Sequence, residues 1–107
     1  MFTRVVELIT KQGKSKELSN TITEKVLPIL KKQRGFVDET LLVSDAPDNR
    51  ILALSFWSTR EAAERYQRER FPTVHDIVRP LLESEPLIRT FEVHTSTTHR
   101  ITAGKAA

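Results

Sequence analysis

The sequence holds no cysteine, so thiolate chemistry is closed to it. The side chains best suited to moving a proton near neutral pH are its three histidines. His75 is the sharpest of them. It follows Pro72 in a segment where Val74, Ile77, Val78 and Leu81 form an apolar stripe, and Val78 and Leu82 place it on that stripe's border. A neutral imidazole there suits removal of a proton from an acidic carbon or phenol. The other chemistry open to His75 is ligation of haem iron, and the plain alternative is an edge-of-core histidine bonded to backbone. Tyr66 and Trp57 are the candidate walls of a pocket for an aromatic ligand, against the simpler reading that both are packing residues. On one unbroken helix Tyr66 and His75 face opposite ways, but Pro72 interrupts the helix and can re-aim the later segment. No pair among His75, His94 and His99 has metal-ligand spacing. Glu7 and Glu92 read as strand residues, one of them pairing with Arg4 or Arg89 rather than doing acid–base work.

The elements that must position these groups follow from pattern. Phe2 to Thr10 is apolar and β-branched, a strand. Ser15 can cap a helix whose inward side is Leu18, Ile22, Val26, Ile29 and Leu30. Pro28 predicts a kink in it, by removing a hydrogen bond and crowding the carbonyl of Glu24. A basic last turn and Gly35 end it. Phe36 to Ser44 and Ile51 to Trp57 form a hairpin across the turn-forming run Asp45 to Asn49. Ser58 with Glu61 reads as a capping box opening a helix to about Arg70. The segment after Pro72 ends at Pro80 and Pro86, and Leu87 to Thr95 is the last strand. The order βαββαβ predicts an α+β, ferredoxin-like fold, a four-stranded antiparallel sheet with both helices on one face. Residues 1–95 make the domain, and Ser96 to Ala107 is a polar tail or partner-bound arm.

Within "ILALSFW", Leu52, Leu54 and Phe56 alternate with Ile51, Ala53, Ser55 and Trp57. Both faces are mainly apolar, so both call for cover, while the helices can roof only one. A second copy of the chain, packed sheet to sheet, is the expected cover, because the tail has too few apolar residues to fold back over the face.

A chain of 107 residues, with 38% hydrophobic and 29% charged residues, is sized for one globular domain. No apolar run is long enough for a membrane span, and the chain is expected to be cytoplasmic. The net charge of +3 is spread among acidic residues, as in Glu61–Arg65 and Glu64–Arg68, and suggests a solvated helix face. "RGF", residues 34–36, carries a trace of an RNA-binding strand. It falls before the second strand, however, and Asp38 and Glu39 follow it, so no nucleic-acid partner is expected.

The block "FWSTREAAERYQRERFPTVH", residues 56–75, the "GF" after the first helix and the closing "SEPLIRTFEVH" resemble the antibiotic biosynthesis monooxygenase family over roughly residues 2–95. The resemblance implies a dimeric α+β barrel. It further implies oxygenation of an aromatic, polyketide or quinol-type molecule without metal or flavin, with His75 as base and Tyr66 and Trp57 as pocket walls. Two alternatives stay open: a non-catalytic dimeric barrel binding a small hydrophobic ligand, and a haem-binding or haem-degrading monooxygenase. Against the latter, the first strand has no Asn and Tyr66 stands where the haem degraders carry Trp.

Overall fold

The computed structural model describes residues 1–101; the end of the expected tail, 102–107, lies outside the described residues. Four strands, β1 (Phe2–Ile9), β2 (Phe36–Val43), β3 (Arg50–Trp57) and β4 (Leu87–Glu92), form one antiparallel sheet in the order β2–β3–β1–β4. The expected ferredoxin-like plan is therefore present. β1 lies at the centre because the helical crossovers carry the chain past it, and Val6 sits opposite Ala53 of β3 and Ile88 of β4. β4 stops at Glu92, short of the expected Thr95.

One face of the sheet takes the helices. Phe2, Val6 and Leu8 of β1 and Ile51 and Trp57 of β3 pack there with Leu18, Ile22, Val26 and Leu30 of the first helical arm. That arm is α1 (Ser15–Thr21), a π-helical turn (Ile22–Val26) and α2 (Leu27–Lys31). The disturbance predicted from Pro28 takes the form of this wider turn just upstream. The proline has no N–H for the carbonyl of Glu24, and the wider winding relieves the crowding of its ring against the preceding turn. Ser15 is the first helical residue rather than the cap, which falls on Lys14 without a side-chain bond.

The second arm is α3 (Arg60–Glu69), α4 (Phe71–Val78) and a 3-10 turn (Arg79–Leu81). Thr59, not Ser58, caps α3: its Oγ1 accepts the Ala62 N–H at 3.1 Å. Ser58 has a different task, its N–H bonding the carbonyl of Gly35 at 2.8 Å. This tie explains the glycine. Gly35 has φ +86°, and a Cβ there would stand 2.5 Å from the Cβ of Ala62. "RG" is thus a helix stop and a close crossing of two chain segments.

The opposite face carries Leu52, Leu54 and Phe56 by strand alternation. Residues 96–101 cover one corner of it. Ser96 and Ile101 pair across a tight turn, the His99 ring lies 4.7 Å from that of Phe56, and His99 Nε2 donates to Asp38 Oδ2 at 2.8 Å. Leu42, Leu87 and Phe91 remain 46–49% exposed.

Candidate active site

Between the sheet and the helices lies a narrow cavity with about 40 Å³ of enclosed room, open at its mouth. Arg4, Glu39, Ala53 and Ser55 form its sheet side; Tyr66, Phe71, Val74 and Val78 form the side opposite. The wall is apolar apart from a few groups, the usual composition of a small-molecule site.

Strand parity brings the charged groups in. Phe2, Arg4, Val6 and Leu8 share one side of β1, and all four are buried. Arg4 is 3% exposed. Its Nη2 donates to Oε1 of Gln67, and its guanidinium lies 5.0 Å from the ring centres of both Tyr66 and Phe71. Desolvation pulls its pKa below the usual value, while the Tyr66 hydroxyl acts in the opposite direction. The expected ion pair with a strand carboxylate does not form. Glu7 instead approaches Arg50 at 3.9 Å, because outward parity puts Glu7 on the other face from Arg4. On β2 a bulge shifts the register between Phe36 and Asp38. With that extra residue, Asp38 turns out to meet His99 and Glu39 turns in to the cavity. Burial pushes the Glu39 carboxyl up to about 7. Tyr66 is pushed up to about 12, chiefly by burial, with Arg4 opposing and Glu39 adding to the shift. At neutral pH the cavity therefore presents a fixed cation, a neutral phenol donor and a carboxyl poised to hold or release a proton.

The three residues singled out from sequence are differently placed. Tyr66 lines the cavity. Trp57 is fully buried behind it, its ring 5.2 Å from that of Tyr66 and 5.6 Å from that of Phe36, and its Nε1 donates to Ser55 Oγ at 2.9 Å. His75 is absent from the lining. Phe71, Val74 and Val78 fill the cavity-facing row of α4, and the residue after Val74 is rotated about 100° away from it. The 3-10 turn ends the α-helical winding before Leu82, yet Leu82 still packs in the core with Val74 and Val78, and His75 lies one residue off that buried row. His75 stacks on Phe71 at 6.1 Å, and its Nε2 stands 3.0 Å from Glu85 without the alignment of a hydrogen bond. Phe71 thus links Tyr66 to His75 outside the cavity centre.

The sequence reading did not single out Arg4 and Glu39 as site residues. For Arg4 a signal existed, because a charged residue in a series with Phe2, Val6 and Leu8 is anomalous on a buried face. For Glu39 none did, since the bulge that turns it inward has no mark in the sequence.

Comparison with known proteins agrees with this architecture. SnoaB, a cofactor-independent oxygenase from Streptomyces nogalater, superposes with a TM-score of 0.71 at 21% identity, covering 90% of this chain and 96% of that one. A monooxygenase from the gene ActVA-Orf6 of Streptomyces coelicolor, solved with nanaomycin D, gives 0.76 at 16% identity, covering 89% and 88%. A protein of unknown function from Nitrosomonas europaea gives 0.74 at 15%, covering 90% and 91%. At such identities these likenesses speak for the fold. No curated protein matches the sequence. The family model for antibiotic biosynthesis monooxygenases matches residues 1–80, which span the sheet's first three strands and the helices that roof the cavity: the chain belongs to the antibiotic biosynthesis monooxygenase family.

Proposed function

We propose that the chain is a monooxygenase that oxidises an aromatic, quinol-type or polyketide molecule in the cavity beneath its sheet, without a cofactor. The observation that carries this reading is Glu39, a carboxyl at about 7 inside an apolar cavity, because an acid–base group works best when its pKa lies near the operating pH. The ionised carboxylate takes a proton from an activated carbon of the substrate. The carbanion gives one electron to O2, and the substrate radical and superoxide combine to form a C–O bond. The resulting peroxide takes a proton and loses water, leaving a carbonyl: a CH2 group and O2 become C=O and H2O. All electrons come from the substrate. Tyr66, neutral and buried, is the hydrogen-bond donor beside the reacting oxygen. The related SnoaB is itself a cofactor-independent oxygenase, which supports the same class of reaction here.

His75, the base expected from sequence, holds a supporting place in this reading: it braces Phe71 and the Glu85–Pro86 segment, and Pro86 lines the cavity. The same placement gives the haem alternative no support, since His75 Nε2 faces Glu85. The test is oxygen uptake with an anthrone and a naphthohydroquinone. Uptake above the uncatalysed rate is expected; none over a broad panel of such compounds would favour a binding protein instead.

The homodimer belongs to the same proposal. Leu42, Leu87 and Phe91 are half exposed on the sheet face that the helices leave open, beside Leu54. Sedimentation at micromolar concentration should show a dimer for the native chain and a monomer for the double variant Leu54→Glu, Phe91→Glu. A native monomer would refute the sheet-to-sheet assembly. No helix among the described residues is long and apolar enough to cross a membrane.

A further inference from the structure

We infer that the cavity selects a planar aromatic anion, with the Arg4 guanidinium holding the ligand's ionised oxygen. This rests on the reading of the cavity as the reaction site and narrows the ligand that site takes.

Among the described residues Arg4 is a buried cation without a counterion: its one side-chain hydrogen-bond partner there, the Gln67 amide, is neutral, and no described carboxylate comes within ion-pair distance. Glu39 shares the cavity but forms no ion pair with Arg4. The rings of Tyr66 and Phe71 stabilise the cation through their faces. Such contacts leave the in-plane N–H groups available, one of them given to Gln67, and these are the groups that read an oxygen anion. Burying a charge without an anion is costly to the fold. The cost becomes intelligible if the anion arrives with the ligand.

The surroundings fit that arrival. Arg4 also lines a second space of about 400 Å³, a groove between α3 and β4 that carries Arg60 and Arg68 as well as Glu64. One buried guanidinium therefore faces both an outer groove with a net positive rim and an inner apolar cavity. Positive charge at a mouth raises the local concentration of anions. Beyond Arg4 the walls are two aromatic rings and aliphatic side chains, which favour a flat, apolar body behind the charged oxygen.

The experiment compares 2-hydroxy-1,4-naphthoquinone, ionised at pH 7, with its neutral 2-methoxy ether. Each is titrated against the quenching of Trp57, the single tryptophan, whose ring lies against cavity-lining Tyr66. The native protein should bind the anion at least about tenfold more tightly than the ether. Arg4→Gln should abolish that preference, and Arg4→Lys should keep part of it. Equal affinity of the native protein for both compounds would overturn the inference whether or not either variant folds. So would a preference that survives in folded Arg4→Gln. Because binding and turnover are read separately, oxygen uptake without anion preference would sink this inference alone. Binding of neither compound would remove the cavity reading together with it.

Discussion

Replacing Glu39 with Gln should lower the rate of substrate-dependent oxygen uptake by about 10²–10⁴-fold, the usual loss when a positioned general base is removed. The side chain keeps its shape and its hydrogen-bonding capacity, so the loss reports the proton and not the packing. In the native protein kcat/KM should rise with pH through about 7, where the carboxyl ionises, and in Glu39→Gln that step should be missing. His75→Ala is the companion variant. It should stay within several-fold of native activity, because its ring lies outside the cavity lining. If His75→Ala abolished uptake while Glu39→Gln did not, the base would be the histidine. Stability gives an independent reading of the same carboxyl. Its pKa is raised on folding, from 4.5 to about 7. Within that window the folded chain keeps a proton that the unfolded chain has released, so stability falls as pH rises across the window and levels off above it. The side chain is only half-buried, so solvent screening reduces the effect to about 1–2 kcal/mol. Glu39→Gln should flatten the slope and be the more stable protein at pH 8 by a similar amount, measured by urea unfolding.

Trp57→Ala should cost about 3–5 kcal/mol, a large part of the ~5–15 kcal/mol available to a domain of this kind. Trp57 has no exposed surface, and its ring is shared between Phe36, which starts β2, and Tyr66, at the middle of α3. Removing it opens a void at the corner where the sheet meets both helical arms, and it leaves Ser55 Oγ without the indole donor. Thermal unfolding should fall by more than about 10 °C. Trp57→Phe separates packing from ligand contact. It should lower the melting temperature by less and leave KM within about twofold, since the ring reaches the cavity only through Tyr66. A large rise in KM with unchanged stability would show instead that Trp57 touches the ligand.

The fold was legible because its signals are local and repeat. Alternation in β3 assigned Ile51 and Trp57 to one side, Gly35 marked the end of the first helical arm, and Pro72 and Pro80 punctuated the second. The hairpin order left little choice of topology. Helix caps were read one residue out, because Ser58 and Thr59 are chemically equivalent as caps and only the tertiary bond from Ser58 to Gly35 decides between them. The site was harder for a related reason: it depends on parity. Tyr66 lines the cavity because an aromatic residue on an amphipathic helix has one side to face. His75 lies one position past a cavity-facing residue, and a single residue on a helix turns a side chain by about 100°. Glu39 is inward only through the bulge before it, where one inserted residue flips every side chain that follows. Charged residues on strands read as solvent-facing by default, and Arg4 and Glu39 both depart from that rule at the place where the chemistry is proposed.

The central claim is that this cavity transfers one atom of molecular oxygen to its substrate. Turnover of an anthrone under oxygen-18 gas, with the product analysed by mass spectrometry, tests it most directly. The account predicts a quinone carrying a single heavy oxygen, formed by the native protein and not by Glu39→Gln. A product without label, or an equal yield from both proteins, would contradict it.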